Sequence, residues 1–228
     1  CIDKTVIGYI PIGSSNDFAR GLGIRKEPLE ALEVVLAGKK TVELDVGVIS
    51  RNGKKRKFAV SAGIGFDAVV CHQVCISRWK ILLNKLNLGK LSYAVVALDR
   101  LIKCRPAAMS VQVDGGKEET FQKVYFAAFM NLPCEGGGFR FCPKALPSDG
   151  KLDLLVAADV SKLKVLLLLP VALLGRHTGF RGVTLRRGSR IRVRSEKPLP
   201  IHTDGEPLFL RREAEAYTGE EKIRVITG

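Results

Sequence analysis

The sequence lacks an apolar run long enough to cross a bilayer. Its longest run, Leu163 to Leu174, has about a dozen residues and contains Pro170, whereas a spanning helix needs about 20. We therefore expect this segment to form a buried or membrane-facing helix. Aromatic residues are also few, at 7%, and none lies within the two most basic stretches. Nucleic-acid-binding proteins usually place exposed aromatic residues among such basic residues, so this class of partner is not expected.

Paired cysteine motifs are absent as well. The six cysteines include no C-x-x-C spacing, which argues against a zinc ribbon and a disulfide framework. Cys71, His72 and Cys75 lie close in sequence and hint at a metal, but no second pair would complete the site. We interpret the cysteines as reduced thiols of a cytoplasmic protein.

Acidic residues are too few to balance the basic ones. The chain has 37 Lys and Arg against 23 Asp and Glu, a formal net charge of +14. Such an excess indicates an anionic partner. Residues 51–57, around the hairpin signal Asn52-Gly53, are more typical of a solvated loop tip, while residues 181–194 form a second basic stretch. We favour an anionic membrane surface over nucleic acid.

What is present indicates an α+β fold, mainly a β-sandwich domain attached to part of an α/β nucleotide-binding domain. A strand, a Gly/Ser turn and helices occupy the first 36 of the 228 residues, and many short strands follow. Residues Val42 to Val48 alternate with period two, which predicts a strand with Asp45 on its polar side. A helical stretch is expected from Ala68 to Ile102. We assign residues 1–36 to the remnant of the α/β domain, 37–207 to the β-sandwich domain, and 208–228 to a return toward the α/β domain.

The turn after the first strand is the first candidate site. Pro11 and Gly13 end an apolar run, and the polar residues Ser14, Asn16 and Asp17 precede a helical pattern. A strand, a small-residue turn and a helix start direct backbone N–H groups and hydroxyls toward one point, which suits a phosphate. An ordinary helix N-cap is the alternative.

Two glycine-rich segments need separate interpretations. Gly63 to Ala68 fits G-x-G-x-x-A formally, but Lys85 and a helix stand where a dinucleotide site needs an acidic residue, so we reject that site. Asp67 either caps the following helix or faces a cleft. Gly136 to Gly138 either approach another group closely or form a flexible loop.

The segment His202-Thr203-Asp204-Gly205-Glu206 is the second candidate site. In an extended stretch Asp204 and Glu206 would project to the same side, and such carboxylates suit proton abstraction during phosphoryl transfer. A plain D-G hairpin turn is the alternative. His202 beside Asp204 resembles part of a serine triad, but no G-x-S-x-G segment supplies a nucleophile.

Four segments, in order, resemble motifs of the diacylglycerol kinase catalytic-domain family, which is related in fold to the NAD kinases. They are P-I-G-S-S-N-D-F-A-R (11–20), G-I-G-F-D-A (63–68), P-K-A-L-P-S-D-G-K-L-D (143–153) and D-G-E (204–206). The family usually has Thr where this chain has Ser14, a mild departure because Ser keeps the hydroxyl.

The resemblance implies an ATP- and Mg²⁺-dependent lipid kinase. It implies Asp204 as the general base supported by Glu206, although Glu206 is an equally open choice for the base. A structural Mg²⁺ would be held by the Asp149 side chain and the carbonyls of Leu146 and Lys151, oxygen donors that suit this cation; without the resemblance Asp149-Gly150 is a plain turn. The implied nucleotide contacts are Gly13, Ser14, Asn16 and Asp17.

The family's G-G-D-G-T loop does not occur in the chain. We expect it to lie upstream of Cys1, so this segment alone should be inactive. The expected reaction is phosphorylation of diacylglycerol to phosphatidic acid by a cytoplasmic protein that is peripheral at the membrane, and a homodimer is left open. The alternatives are a kinase for a sphingoid lipid or NAD, and a non-catalytic module that binds lipid or nucleic acid.

Overall fold

The computed structural model describes residues 5–13, 15–51, 54–76, 98–208 and 210–228. Ser14, the Asn52-Gly53 hairpin turn, and residues 77–97 of the expected long helix lie outside these ranges. Residues 98–103 are helical. The helices are α1 (Asp17–Leu22), α2 (Pro28–Ala37), α3 (Phe66–Ile76) and α4 (Lys162–Leu173).

One sheet of the described chain has seven strands in the order β3-β2-β13-β10-β5-β6, with β1 beside β13. All its pairs are antiparallel except β1 with β13. Because β13 is long, it pairs with β2 along most of its length and with β1 near its end. The strands are β1 (Val6–Ile7), β2 (Thr41–Arg51), β3 (Lys54–Phe58), β5 (Ala107–Val113), β6 (Glu119–Val124), β10 (Arg190–Leu199) and β13 (Arg211–Ile226).

The second sheet has six strands in the order β12-β11-β4-β7-β8-β9, and every pair in it is antiparallel. Its three central strands, β4, β7 and β8, are buried at every residue, which indicates that both faces of this sheet are covered. The strands are β4 (Ser61–Gly65), β7 (Phe126–Met130), β8 (Leu152–Ala157), β9 (Val183–Gly188), β11 (Ile201–Thr203) and β12 (Glu206–Pro207).

The main hydrophobic core contains inward residues from both sheets, as expected for a β-sandwich. Ile191 and Val193 of the first sheet and Ile64 and Phe129 of the second are fully buried in it. A second cluster around Phe126 lies on the other face of the second sheet, where α4 contributes Val165. The two clusters account for the burial of both faces of the second sheet.

The N-terminal segment packs against one end of the first sheet. Ala19 of α1 and Ala31 of α2 join Leu44 of β2 and Val225 of β13 in a third hydrophobic cluster. This packing places the turn before α1 beside the edge of the sandwich, where the candidate site lies.

The expected fold class, a β-sandwich with part of an α/β unit attached, is confirmed. That prediction was based on the many short strands that follow the N-terminal strand, turn and helices. Within the described residues, no helix is long and apolar enough to cross a membrane.

Candidate active site

The turn before α1 is held together by the side chain of Asn16. The Gly13 N–H donates to Asn16 Oδ1 at 2.9 Å, and Asn16 Nδ2 donates to the carbonyls of Gly13 at 2.7 Å and Pro11 at 3.2 Å. Asn16 is the N-cap residue of α1 in a left-handed conformation, with φ 52°, which Asn tolerates better than most residues. The amide therefore shapes the turn, and its implied contact with a nucleotide stays a prediction.

Asp17 connects this turn to the loop of three glycines. The Gly137 N–H donates to Asp17 Oδ2 at 2.8 Å. The glycines have φ values of 65°, 88° and 112°, and a Cβ at Gly138 would lie 3.1 Å from Arg20 Cζ. Of the two alternatives for Gly136 to Gly138, the structure shows a close approach to neighbouring groups.

Asp204 lies in a tight turn, so the expectation of an extended stretch from Asp204 to Glu206 is wrong. Thr203 of β11 pairs with Glu206 of β12, and the chain reverses at Asp204 and Gly205, whose φ values are 47° and 81°. Positive φ at both central residues suits a two-residue hairpin turn. The alternative of a D-G hairpin turn is therefore observed, and the alternation of an extended strand does not set the relative direction of the two carboxylates.

The Asp204 carboxylate is bound by backbone amides of the segment before β4. Oδ2 accepts the Ala59 N–H at 2.8 Å, while Oδ1 accepts the Val60 N–H at 2.8 Å and the Ser61 N–H at 3.0 Å. Asp204 as a residue is exposed at the tip of the turn, but its oxygens lie against this backbone. Burial of the carboxylate raises the pKa of Asp204, and the three amides partly offset that rise.

Glu206 has different surroundings from Asp204. It is exposed, and within the described part of the chain no hydrogen bond or ion pair to its carboxylate is found. Of the two hairpin carboxylates, Glu206 is therefore the freer to meet a ligand, while Asp204 is also an anchor of the hairpin.

Directly behind the hairpin lies a buried histidine cluster, formed by His202, Asp67 and Glu135. His202 Nε2 is 3.2 Å from Asp67 Oδ2 and 3.1 Å from Glu135 Oε1, and the imidazole has no exposed surface. His202 Nδ1 faces the Gly205 N–H at 3.3 Å. The cluster therefore joins the start of α3, the glycine loop and the hairpin.

Gly63 in β4 leaves the space that this cluster needs. A Cβ at Gly63 would lie 1.8 Å from Asp67 Oδ2 and 2.5 Å from His202 Nε2, so any side chain there would collide with the cluster. Asp67 Oδ1 also accepts the Ala68 N–H at 2.7 Å. Asp67 is the second residue of α3 and not its N-cap, and its carboxylate faces the buried His202.

Opposing effects set the protonation of the buried histidine cluster. Burial alone would lower the pKa of His202, but the carboxylates of Glu135 and Asp67 outweigh it and raise this pKa to about 10. The Gly205 N–H facing Nδ1 favours instead the neutral imidazole with its proton on Nε2. In either form Nε2 carries a proton directed at the two carboxylates.

Cys71, Glu135 and His202 also have potential metal-binding atoms within 4.8 Å of one another. A metal would need the lone pair of His202 Nε2, which the proton described above occupies. Metal-bound histidine usually donates its other ring N–H to an acceptor, whereas here that ring atom faces the N–H of Gly205. These contacts fit an ion-pair cluster better than a metal centre.

Buried oxygens without hydrogen-bond partners surround the hairpin in the described part of the chain. They are Ser61 Oγ, Glu135 Oε2 and Thr203 Oγ1. Asp17 Oδ1 also lacks a hydrogen bond, but it lies 3.7 Å from Arg20 Nε in an ion pair. A buried polar atom left unpaired costs about 1–3 kcal/mol, so native proteins rarely retain such atoms without a reason. Their concentration here is typical of a site that binds a polar ligand.

Carboxylate charge is also concentrated in this region. Burial raises the pKa of Asp17, the Gly137 N–H counteracts it, and the charge of Glu135 raises it further. Burial likewise raises the pKa of Asp67, to which Glu135 contributes. Glu135 therefore acts electrostatically on carboxylates from three separate segments, including that of Asp204.

The expected magnesium loop is held by other partners. Asp149 forms an ion pair with Arg187, and its Oδ1 accepts the Lys151 N–H at 3.1 Å. The neighbouring Gly150 N–H donates to the buried Asp45 at 2.6 Å, and Leu146 is 55% exposed. The donor types of Asp149, Leu146 and Lys151 suit Mg²⁺, but here the Asp149 carboxylate pairs with Arg187, which would have to move for the cation to bind. The implied magnesium site therefore stays a prediction.

Several residues of this region have no marker in the sequence. Asn131 Nδ2 donates to the carbonyls of Asp45 at 2.8 Å and Ala59 at 2.9 Å, so it connects the Asp149 loop to the segment that binds Asp204. Asp45 is 2% exposed although strand alternation predicts an outward position. Glu135 adjoins the glycine loop, which was the one signal that could have drawn attention to it.

Comparison with known families assigns both parts of the chain. Residues 2–71 match the diacylglycerol kinase catalytic domain. Residues 59–211 match the YegS C-terminal NAD kinase beta sandwich-like domain. The second match alone covers more than half of the chain.

Curated relatives agree with these matches. The chain is 33% identical over 203 residues to a diacylglycerol kinase of Mycobacterium tuberculosis, covering 88% of this chain and 62% of that protein. It is 28% identical over 206 residues to a diacylglycerol kinase of Bacillus subtilis, covering 90% of this chain and 63% of that protein. The chain thus spans less than two thirds of the length of these two relatives.

Solved structures share the fold. A diacylglycerol kinase from Bacillus anthracis superposes with a TM-score of 0.62 at 17% identity, covering 96% of this chain and 65% of the other. A second crystal structure from the same species gives a TM-score of 0.70 at 21% identity, covering 96% and 68%.

Proposed function

Because this chain belongs to the diacylglycerol kinase family of lipid kinases, with the YegS-type β-sandwich as its larger part, we propose that the complete protein transfers the γ-phosphate of ATP to a lipid hydroxyl. Diacylglycerol is the proposed acceptor and phosphatidic acid the product. The names of the relatives support this choice of acceptor.

One observation carries the proposal: the D-G-E hairpin, the turn before α1 and the glycine loop meet around unpaired buried oxygens. Asp17 contacts Gly137, and the cluster of His202 joins the hairpin to Glu135. Three segments that are far apart in sequence therefore form one polar site. A site of this kind is suited to phosphoryl transfer, in which catalysis is mainly positioning and electrostatic stabilisation.

The hairpin supplies the proposed base. A carboxylate that accepts the lipid hydroxyl proton must keep an unshared lone pair directed at the acceptor. Asp204 Oδ1 already accepts two N–H groups and Oδ2 one, so only Oδ2 retains capacity, whereas Glu206 is exposed. We propose that Asp204 and Glu206 act as a pair, with Asp204 also fixing the position of the turn.

The turn before α1 is the proposed nucleotide contact. Gly13, Asn16 and Asp17 would face the nucleotide together with Ser14, which lies outside the described residues. Bound Mg²⁺ would neutralise charge on the phosphates. The residues of the chain itself bind, orient and accept the proton.

The experiment that tests this function is transfer from radiolabelled ATP to diacylglycerol in anionic mixed micelles by the complete protein. We compare the wild type with Glu206→Gln, Asp204→Asn and, as a control, Glu30→Gln at an exposed position on α2. Loss of a general base lowers turnover by about 10²–10⁴-fold. We expect labelled phosphatidic acid from the wild type and the control, with such a loss in at least one hairpin variant.

The alternatives predict different products. Transfer to a sphingoid lipid or to NAD, with none to diacylglycerol, would keep the kinase and change the acceptor. No transfer to any of these acceptors would contradict the kinase and favour a non-catalytic binding module. Equal activity in all variants would contradict the assignment of the base to the hairpin.

A further inference from the structure

Helix α4 is apolar on two opposite faces. Val165 and Ala172 of α4 are buried, and Leu168 and Leu169 line an apolar cavity between α4 and the second sheet. The outward leucine face comprises Leu163, Leu166, Leu167, Leu173 and Leu174, which are 65%, 39%, 63%, 45% and 67% exposed. Steps of three and four residues place these five leucines on one side of a helix.

The outward leucine face remains largely exposed, and other residues of α4 contact the sandwich. The inward residues already attach the helix, and Ser161 caps it by accepting the Lys164 N–H at 3.2 Å. Single exposed leucines are ordinary on protein surfaces, whereas a contiguous apolar face marks an interaction site. Ile102 is 63% exposed, and its carbonyl accepts a hydrogen bond from Lys162 at the start of α4. This contact joins the helical segment 98–103 to the start of α4.

The segment that contains α4 carries only positive charge. No Asp or Glu occurs between Val160 and Ser195, and the nearest carboxylate before this segment is the exposed Asp159. Lys162, Arg176 and Arg181 are exposed near the two ends of the helix. Lys164 Nζ donates to the Arg181 carbonyl at 2.9 Å, which keeps the following loop beside the first turn.

We propose that the outward leucine face of α4 docks the protein on an anionic membrane, with the leucines at the boundary of headgroups and acyl chains and the flanking cations on the headgroups. Interfacial helices of this kind combine an apolar face with Lys and Arg. This inference deepens the proposed function, because it names the surface by which a lipid kinase would reach its substrate.

A protein partner explains the surface less well. Protein interfaces are enriched in aromatic residues and Met, while the five residues of the outward leucine face include none. The nearest exposed aromatic residue in sequence is Phe180, beside Arg181. A second copy of the chain packed face to face would bring the same positively charged segment against itself. Aliphatic side chains flanked by cations are complementary to acyl chains and anionic phosphates instead.

The test is binding of the complete protein to vesicles of phosphatidylcholine with and without phosphatidylglycerol, measured by flotation. The variant is Leu163→Gln with Leu167→Gln. The matched control is Leu29→Gln with Leu36→Gln on α2, where the leucines are 76% and 77% exposed beside Glu30 and Glu33. We expect the α4 variant to bind anionic vesicles at least about tenfold more weakly, and the α2 control to bind like the wild type.

The inference would be overturned by unchanged binding of the α4 variant, by an equal loss in the α2 control, or by wild-type binding that does not depend on the anionic lipid. An altered oligomeric state in sedimentation, with vesicle binding intact, would also overturn it and favour an interface between copies. The melting temperature of each variant is measured as well. A value equal to that of the wild type shows that a loss of binding does not result from misfolding.

Activity separates this inference from the proposed function. The α4 variant should phosphorylate a short-chain, water-soluble diacylglycerol at the wild-type rate and lose activity only toward vesicles. If neither the wild type nor any variant phosphorylates an acceptor, but only the α4 variant loses vesicle binding, the docking surface is supported and the kinase proposal fails. Full activity of the α4 variant on vesicles would overturn the docking surface and leave the kinase proposal intact.

Discussion

Replacing Asp204 by Asn should destabilise the protein as well as affect its chemistry. The Asp204 carboxylate accepts backbone N–H groups from Ala59, Val60 and Ser61 at 2.8–3.0 Å. An Asn side chain can present one oxygen to two of these groups, and its NH₂ then meets the third, a contact between two donors. Asn adopts the left-handed region readily, so the turn conformation at φ 47° would not itself be the cause.

The magnitude follows from these contacts. A hydrogen bond to a charged group contributes about 1.5–3 kcal/mol, and the substitution removes one such bond and makes the other two neutral. Burial raises the pKa of Asp204 because desolvation disfavours its charge, and this effect offsets part of the loss. We therefore expect the free energy of unfolding to fall by about 1–2 kcal/mol.

The assay is urea denaturation of the complete protein at neutral pH, with Glu206→Gln as the matched control. Glu206 is exposed, so its substitution should change the free energy of unfolding by less than about 0.5 kcal/mol. If Asp204→Asn is as stable as the wild type within this margin, the three amides do not depend on the carboxylate. The account of Asp204 as an anchor of the hairpin would then be refuted.

Further predictions concern stability. Gly63→Ala should lower the free energy of unfolding in urea by about 2–4 kcal/mol, because its Cβ would collide with the buried histidine cluster. The control Gly179→Ala should have little effect, because nothing lies within 4 Å of its Cβ. Because Arg187 already pairs with Asp149, EDTA should leave the melting temperature of the protein unchanged in calorimetry. A melting temperature that rises with Mg²⁺ in the wild type but not in Asp149→Asn would contradict this expectation and support the implied magnesium site. Burial lowers the pKa of His177 below its usual 6.5, so the unfolded state binds a proton before the folded state does. The free energy of unfolding should therefore fall as the pH drops through 6.5. His177→Gln should weaken this pH dependence, and an unchanged dependence would rule out His177 as its source.

Short-range features of the site could be predicted from the sequence. The polar turn before α1 and the D-G-E segment are contiguous, and their residue types alone indicate carboxylate chemistry. The partners of those residues could not be predicted, because they lie far away in the chain. Asp204 contacts residues 143 to 145 positions before it, and no local pattern marks Ala59 or Val60 as amide donors.

Strand alternation was informative for the core and misleading at Asp45. Period two places Asp45 on the polar side of β2, yet the residue is buried because the Asp149 loop covers it and donates the Gly150 N–H to its carboxylate. A loop that covers a sheet face buries residues that strand alternation places outward. The same limit applies to α4, whose apolar run predicted a helix but not which leucines face outward.

The distribution of charge connects the site to the rest of the molecule. The chain has a net charge of +14, but the candidate site gathers the carboxylates of Asp17, Glu135 and Asp204, and burial raises the pKa values of Asp17 and Asp204. A basic exterior attracts anionic surfaces over a distance, whereas a carboxylate-rich site repels a bare polyphosphate. A nucleotide should therefore bind at this site as its complex with a divalent cation, which reverses the sign of the interaction with these carboxylates.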